Sequence, residues 1–519
     1  MHRNPGKTPT LIALAQILGF LAPAAGPAVA QNPLEAVRRY RDANQGAILA
    51  ELRDLLSVPN VAGDLPNIRR NAELLASMLR KRGATARIIE TGGEPLVYGE
   101  IGEPGRPTIL FYCHYDGQPV EPANWDQENP WVPVLRTGSI EAGGRIVELW
   151  PGPADRVDPE WRVYARSASD DKAPIVALLS ILDAWRAAGV TPPNRLKFLF
   201  EGDEEAGSRH LAAAARQHRE LLSADLAVMA DGPIHPSGRP SAFFGLRGLV
   251  TVDLTVYGPI RPLHSGHYGN WAPNPAMRLA QLLASMKNPD GEVLVAGWED
   301  DVIPLGPAEL RALERFPHDD EVQRLQFQLG SVDGKGRTRH ELIARPSLNI
   351  RGLQSLFVGP GARTLIPSVA VASLDLRLVA GNTPQRQVEK LVRHIEAQGY
   401  TVVREDPDSA MRVNTPRLVK VEAGAGYPAG RTPLDHPAAV AVVRALEGAG
   451  LGEPVVVPTM GGSGPAYVFT DILGQPFVIV PIVNHDNNQH AENENLRVGN
   501  LFRGMEILAA VASAPLKPR

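Results

Sequence analysis

Five short motifs of histidines and carboxylates, spread between residues 114 and 490, each sit just past the end of a predicted strand. They are His114-Tyr115-Asp116, Ser169-Asp170-Asp171-Lys172, Glu204-Glu205, Asp231 and His490. Side chains so far apart in sequence meet only if their strands lie side by side and end at one rim. Open α/β sheets place their ligand sites at that rim. Imidazole nitrogens mixed with carboxylate oxygens suit zinc, manganese or cobalt better than magnesium or calcium. A spare Glu beside a ligand Glu adds what a hydrolytic metal site needs.

The intervening sequence supports such a sheet. Segments 106–113 (RPTILFYC), 196–200 (LKFLF), 224–230 (ADLAVMA) and 476–483 (PFVIVPIV) are short apolar runs, the pattern of buried parallel strands. Helical spacing over 45–56, 67–82, 173–188 and 437–447 alternates with them, so the fold class is α/β with a mostly parallel sheet. Asp435 is expected to cap the last of these helices and Gly448 to stop it. Near Arg247 the pattern changes. Segments 249–258 and 369–380 alternate apolar and polar residues like half-exposed antiparallel strands, with helical stretches at 274–287 and 384–398. We therefore expect a catalytic domain in two parts, 31–246 and 427–519, with a smaller α+β domain over 247–426 inserted between them. Residues 138–159, rich in Gly and Pro without a period, read as a surface loop.

With 519 residues the chain exceeds one core. Its 53 Lys+Arg against 57 Asp+Glu form no basic block, which argues against a nucleic-acid surface. Cys113 is the only cysteine, so no intramolecular disulfide exists; at the end of an apolar strand it reads as a buried, inert thiol. Arg3 and Lys7, the apolar stretch 11–21 and Ala28-Val29-Ala30 before Gln31 form a secretory leader cleaved after Ala30. The apolar stretch is shorter than the ~20 residues of a spanning helix, so no membrane association is expected after cleavage. The expected location is periplasmic or secreted.

Each motif alone has a plainer reading: an N-cap at Ser169 or Asp170, a turn at Asp231, a solvated loop at His490. The run Glu201-Gly202-Asp203-Glu204-Glu205 is harder to set aside, because four acids in five residues follow a buried strand. Residues two apart on a strand point the same way, so Asp116 is placed to hold the second ring nitrogen of His114. If Glu205 binds metal, Glu204 is free to take a proton from water.

In that order, the five motifs resemble the co-catalytic dizinc metallopeptidase family that includes aminoacylases, glutamate carboxypeptidases and carnosine-type dipeptidases. Gly297-Trp298-Glu299-Asp300-Asp301-Val302, Leu263-His264-Ser265-Gly266, Arg345-Pro346-Ser347-Leu348 and the segment 359–367 (GPGARTLIP) resemble its dipeptidase branch. The likeness implies a phosphorylase/hydrolase-like catalytic domain with an inserted lid that also forms a homodimer interface. It implies one metal on His114, Asp170 and Asp231, and a second on Asp170, Glu205 and His490, with Asp170 bridging. Zn2+ is the first expectation for both, with Mn2+ or Co2+ as alternatives. Glu204 is implied as general base, with Asp116 orienting His114 and a cis peptide following Asp170. His264, from the partner subunit, is implied to polarise the scissile carbonyl. Arg377 and Thr364 are implied to hold the substrate carboxylate, with Gly462 and Ser463 in a substrate-backbone loop.

Three departures bear on specificity. Met460 stands where such dipeptidases often carry a Glu that helps hold a free amine. Ala165-Arg166-Ser167 replaces a Gly-Arg-Gly, and the 138–159 loop is longer than the family's short connection and is in a position to shape the pocket entrance. The implied substrate is a dipeptide or small peptide with a free C-terminal carboxylate. The alternatives are an N-acyl amino acid, a carboxypeptidase substrate and, remotely, an inactive peptide-binding role.

Overall fold

The computed structural model describes residues 1, 2, 6 and 32–518. The expected leader thus lies outside the described residues, apart from residues 1, 2 and 6.

The central strand, Thr108–His114, runs parallel to both of its neighbours, Arg195–Glu201 and Leu226–Met229. Its continuous apolar run has a direct cause. Phe111 and Cys113 face one core and Leu110 and Tyr112 the other, so neither set of alternating positions meets water. Helices Lys172–Ala188 and Val498–Ala512 fill the first core, and helix Leu211–Gln217 lines the second. Each large apolar side chain removed from water this way contributes roughly 1.5–3 kcal/mol. Cys113 is buried, as its setting suggested, and burial pushes its thiol up.

The eight-stranded sheet is mixed: its middle strands run parallel, as does the edge pair Ser241–Phe243 and Val455–Val457. Its order is Thr85–Ile89, Leu96–Ile101, Arg195–Glu201, Thr108–His114, Leu226–Met229, Phe477–Ile479, Ser241–Phe243, Val455–Val457. The first three strands pair antiparallel, as do Phe477–Ile479 and Ser241–Phe243. The strand expected over 476–483 is regular only at Phe477–Ile479, because Pro481 lacks the N–H a ladder requires. The following helix boundaries also shift. Pro437 takes the first helical position, so His436 rather than Asp435 is the cap, accepting from Ala438 N at 3.2 Å. Gly448 closes the helix as its last residue instead of stopping it from outside.

A second sheet lies in the inserted region. Its backbone is the long strand Gly245–Tyr257, flanked by Val369–Leu378 and Leu418–Ala423, with Ser347–Gln354 at one edge and Thr401–Val403 at the other. Alternate residues of Val369–Leu378 are buried. Leu279 and Leu282 of helix Pro275–Ala284 and Leu391 and Ile395 of helix Pro384–Ala397 cover that face, against Val252, Leu254, Leu374 and Leu376. The motifs that carried the dipeptidase likeness brace this unit: Trp298 Nε1 donates to Pro346 O at 3.2 Å, and Arg345 pairs with Glu299 at 2.6 Å. The start of Gly245–Tyr257 also pairs with Gly430–Arg431 and Met460–Ser463, so one strand ties the insert to the body.

Residues 138–159 hold no helix or strand. The loop docks on helix Gln45–Leu56, where Ala47 N donates to Pro153 O at 3.1 Å and Val157 N to Gln45 Oε1 at 2.7 Å. Gly46 permits the approach, since a Cβ there would lie 1.9 Å from Gly152 O. None of these residues lines the cavities beside the carboxylate cluster.

Candidate metal centre

His114 ends its strand, Glu204 and Glu205 follow Arg195–Glu201 and Asp231 follows Leu226–Met229. Asp170 instead comes from the turn ahead of helix Lys172–Ala188 and His490 from the loop between Phe477–Ile479 and Asn495–Arg497, so not every motif sits just past a strand of this sheet. His114 Nε2 lies 2.8 Å from Asp170 Oδ1 and 4.0 Å from Asp231 Oδ2. His490 Nε2 lies 3.1 Å from Asp170 Oδ2 and 3.2 Å from Glu205 Oε2. Two trios result, His114–Asp170–Asp231 and Asp170–Glu205–His490, each with its donor atoms within 4.8 Å of one another. Asp170 gives one oxygen to each.

Asp116 sits behind them, fully buried, with Oδ1 3.3 Å from His114 Nδ1. Its carboxylate also accepts from Glu204 N at 3.2 Å and Glu205 N at 2.9 Å. One side chain therefore orients the imidazole and the acidic turn together. The Asp170-Asp171 peptide is cis. The capping expected of Ser169 and Asp170 is absent: Asp171 occupies the N-cap without a side-chain capping bond, and its Oδ2 instead accepts from His114 N at 3.2 Å. Ser169 Oγ instead donates to Glu494 Oε1 at 2.9 Å.

Glu494 is the residue that sequence reasoning passed over. It is 1 % exposed and accepts from Ser167 N, Ser169 N and Asp170 N, each at 3.0 Å, and from Arg166 Nη1 at 2.8 Å. Its place in His490-Ala491-Glu492-Asn493-Glu494 was the only available signal. Gln489 and Gln118 were likewise unforeseen; they donate to Asp170 Oδ2 at 2.6 Å and to Glu205 Oε2 at 2.8 Å.

The electrostatics call for cations. Burial, reinforced by Asp170, pushes Glu205 up to about 7 and Asp231 up to about 6. Burial also drives Glu204 well above the carboxylate range, with Asp231, Asp116 and Glu205 adding to it and His114 opposing. For Asp170 burial is outweighed by His114 and His490, which hold it low. The hydrogen bond to Asp170 lifts His490 to about 9. Asp231 Oδ1 is buried without a hydrogen-bond partner. Acids this close relieve their repulsion only by sharing protons or by binding metal, and the donor set fits two divalent ions. A third trio, Glu94, Asp203 and His210, already has a cation, since Arg209 lies 3.1 Å from Glu94.

Two cavities flank the cluster. One, of about 220 Å³, is lined by Glu204, Glu205, Tyr427, Ser463, Tyr467 and His490. The Tyr427 and Tyr467 rings stack at 5.9 Å, and burial, then the Glu204 charge, pushes the Tyr427 phenol up. The other, of about 440 Å³, holds Met229, Leu246, Met460 and Ile479 beside Asp231 and Gly462. Arg377 Nη1 donates to Ser463 Oγ at 2.7 Å, joining the insert to that loop. His264 and Thr364 come together on an exposed ribbon, where Ser265 N donates to Thr364 O at 2.9 Å. Neither lines the two cavities beside the carboxylate cluster.

Residues 110–514 match the model of peptidase family M20/M25/M40. The chain belongs to that family. It is a metal-dependent peptidase of a dinuclear-metal lineage, with its likeness on the dipeptidase branch. Human Beta-Ala-His dipeptidase is 25% identical over 517 residues, covering 95% of this chain and 94% of that protein. The Cys-Gly metallodipeptidase dug1 of Schizosaccharomyces pombe is 25% identical over 496 residues, covering 91% and 96%. Among solved structures, the M20 family metallo-carboxypeptidase Sso-CP2 from Sulfolobus solfataricus superposes with a TM-score of 0.71 at 26% identity, covering 90% of this chain and 98% of that one. Human carnosine dipeptidase 1 gives 0.66 at 24%, covering 92% and 99%, and supports the fold.

Proposed function

We propose that this M20 peptidase hydrolyses the amide bond of dipeptides or small peptides that end in a free carboxylate. The observation that carries the reading is the double trio sharing Asp170, with Glu204 beside it and outside both trios. His114, Asp170 and Asp231 hold one divalent ion in this reading, Asp170, Glu205 and His490 the other, with zinc first and manganese or cobalt as alternatives. Such a pair of ions makes water nucleophilic near neutral pH. Glu204 takes the proton from that water and returns it to the leaving amine; its raised affinity for a proton suits the second half of that task. Asp116 keeps the His114 ring in place, and Glu494 keeps the Asp170 backbone in place.

Arg377 binds the substrate carboxylate, for which a planar guanidinium offers two parallel donors. Ser463, already its partner at 2.7 Å, and Gly462 face the substrate backbone. His264 and Thr364 act from the partner subunit of a homodimer. Support for the dimer comes from the exposure of both residues and from the free edge strand Ser347–Gln354, whose Ile350 and Leu353 are 44% and 63% exposed. The leader motif supports an exported, periplasmic or secreted protein.

A second reading is favoured by Met460. Its cavity is walled by Met229, Leu246 and Ile479, and its only acids belong to the metal cluster or are Glu204. No separate carboxylate is available there for a substrate ammonium, which favours an N-acyl amino acid or a carboxypeptidase substrate with an apolar N-terminal side. A panel of free dipeptides and their N-acylated counterparts, run on the zinc-loaded mature protein, decides between the two. Turnover of free dipeptides supports the first reading, and turnover of the acylated set alone supports the second. No turnover of either set discards both.

A further inference from the structure

The helix Pro307–Arg315 lies within the inserted stretch of sequence yet packs on the catalytic body. Glu309, 4% exposed, accepts from Leu434 N at 3.0 Å, and Arg431 Nη2 donates to Ile303 O and Pro304 O at 3.1 and 3.0 Å. A cavity of about 310 Å³ remains at this seam, apart from the two beside the metal cluster. Its walls are apolar: Ala312 and Phe316 from the insert side, Val440, Val443 and Val456 from the body. Its rim is cationic. Arg239 is engaged by Glu453 at 3.1 Å, whereas the exposed side chains of Arg311, Arg315 and Arg444 have no ion pair or hydrogen bond among the described residues. Arg311 and Arg315 stand one helical turn apart, so their like charges repel and await a counter-ion.

We propose that this seam binds a small carboxylate with an apolar body and no amino group. Guanidinium groups pair well with a carboxylate, and the walls gain by covering hydrocarbon. A free amino acid is disfavoured because its ammonium meets three arginines with only Glu447 as an unpaired acid on the rim. A bare inorganic anion leaves the apolar walls unused. The volume lies at the lower end for ligand pockets, which excludes a protein segment of any size. The occupant touches both the insert helix and the strand Val455–Val457, which leads directly into Met460–Ser463, so it braces the two parts at the base of the substrate loop.

The test is isothermal titration calorimetry on the metal-loaded mature protein with hexanoate, hexanamide and inorganic phosphate. Saturable hexanoate binding is expected, weakened roughly tenfold or more in Arg311→Gln/Arg315→Gln and absent in Ala312→Phe. Hexanamide and phosphate are expected to bind at least about tenfold more weakly than hexanoate. Melting temperature monitors folding of each variant, and the exposed double Arg variant keeps the test usable if Ala312→Phe misfolds. Equal hexanoate affinity in the double variant overturns the proposal, because it places the ligand elsewhere, the metal centre included. Equal affinity for hexanamide or phosphate also overturns it, as does no heat of binding. None of these outcomes depends on which amide substrate the metal centre hydrolyses.

Discussion

Arg377 and Ser463 meet through one hydrogen bond, Nη1 to Oγ at 2.7 Å, although one lies on the insert strand Val369–Leu378 and the other at the end of the short strand Met460–Ser463. The proposed carboxylate clamp and the proposed backbone loop are thus one unit. Replacing Arg377 with Lys keeps the charge and loses the planar fork. KM for a substrate with a free carboxylate is expected to rise roughly 10–100-fold, while its C-terminally amidated analogue, already poor, changes little. Steady-state kinetics on the matched pair checks this; an equal loss on both substrates refutes the clamp.

Glu204 lies outside both ligand trios, so its removal separates chemistry from metal binding. Glu204→Ala is expected to lower kcat by about 10²–10⁴ with the metal content of the purified protein unchanged. Metal analysis beside the kinetics is the check, and loss of metal in this variant contradicts the assignment.

Glu494→Ala removes the acceptor of three backbone N–H groups and leaves Arg166 buried without its partner. Breaking a buried pair of this kind costs about 3–5 kcal/mol, and loss of outer support to metal ligands costs about 10–100-fold in metal affinity. Urea unfolding and a competitive chelator titration measure the two effects. A variant as stable as the parent shows that Glu494 is dispensable.

The metal-free protein has an expected pH dependence. Asp231 and Glu205 are raised to about 6 and about 7, so between about pH 4 and 7 the folded chain holds protons that the unfolded chain has released. Stability from these groups is therefore fully present at the acid end and falls as pH rises through that window. Metal loading replaces the protons and is expected to flatten the slope. Melting temperatures of both forms at pH 5, 6 and 7 test the sign (approximate set points within the titration range).

Met460→Glu places a carboxylate in the apolar cavity beside Met229 and Leu246. The ratio of kcat/KM for a free dipeptide over its acetylated form is expected to rise by about tenfold or more. An unchanged ratio means that Met460 does not face the N-terminal side of the substrate.

The sequence announced the strands that matter because a strand buried on both faces has no polar position to spend on water; Thr108–His114 and Leu226–Met229 are of this kind. His114, Glu205 and Asp231 were legible for the same reason, since each ends or closely follows such a run. Asp170, by contrast, sits just ahead of helix Lys172–Ala188 and His490 in the loop between Phe477–Ile479 and Asn495–Arg497. The supporting shell was not. Glu494 binds main-chain N–H groups, and such bonds leave no side-chain pattern in the sequence. The antiparallel flanks of the main sheet and the attachment of helix Pro307–Arg315 to the body depend on contacts far apart in the chain. The cap at His436 was a matter of one residue, decided by where Pro437 starts the helix.

The tie between the insert and the body through Gly245–Tyr257 has a consequence for the length of substrate accepted. The proposed metal ligands belong to the body and the proposed carboxylate clamp to the insert, so on that reading the span between them acts as a ruler. That span is set by Gly245–Tyr257, which pairs with both the clamp strand Val369–Leu378 and the substrate-loop strand Met460–Ser463. A substitution at Gly248, whose carbonyl accepts from Ser463 Oγ at 3.4 Å, would then change which peptide lengths are cut while leaving Glu204 and the metal ligands in place.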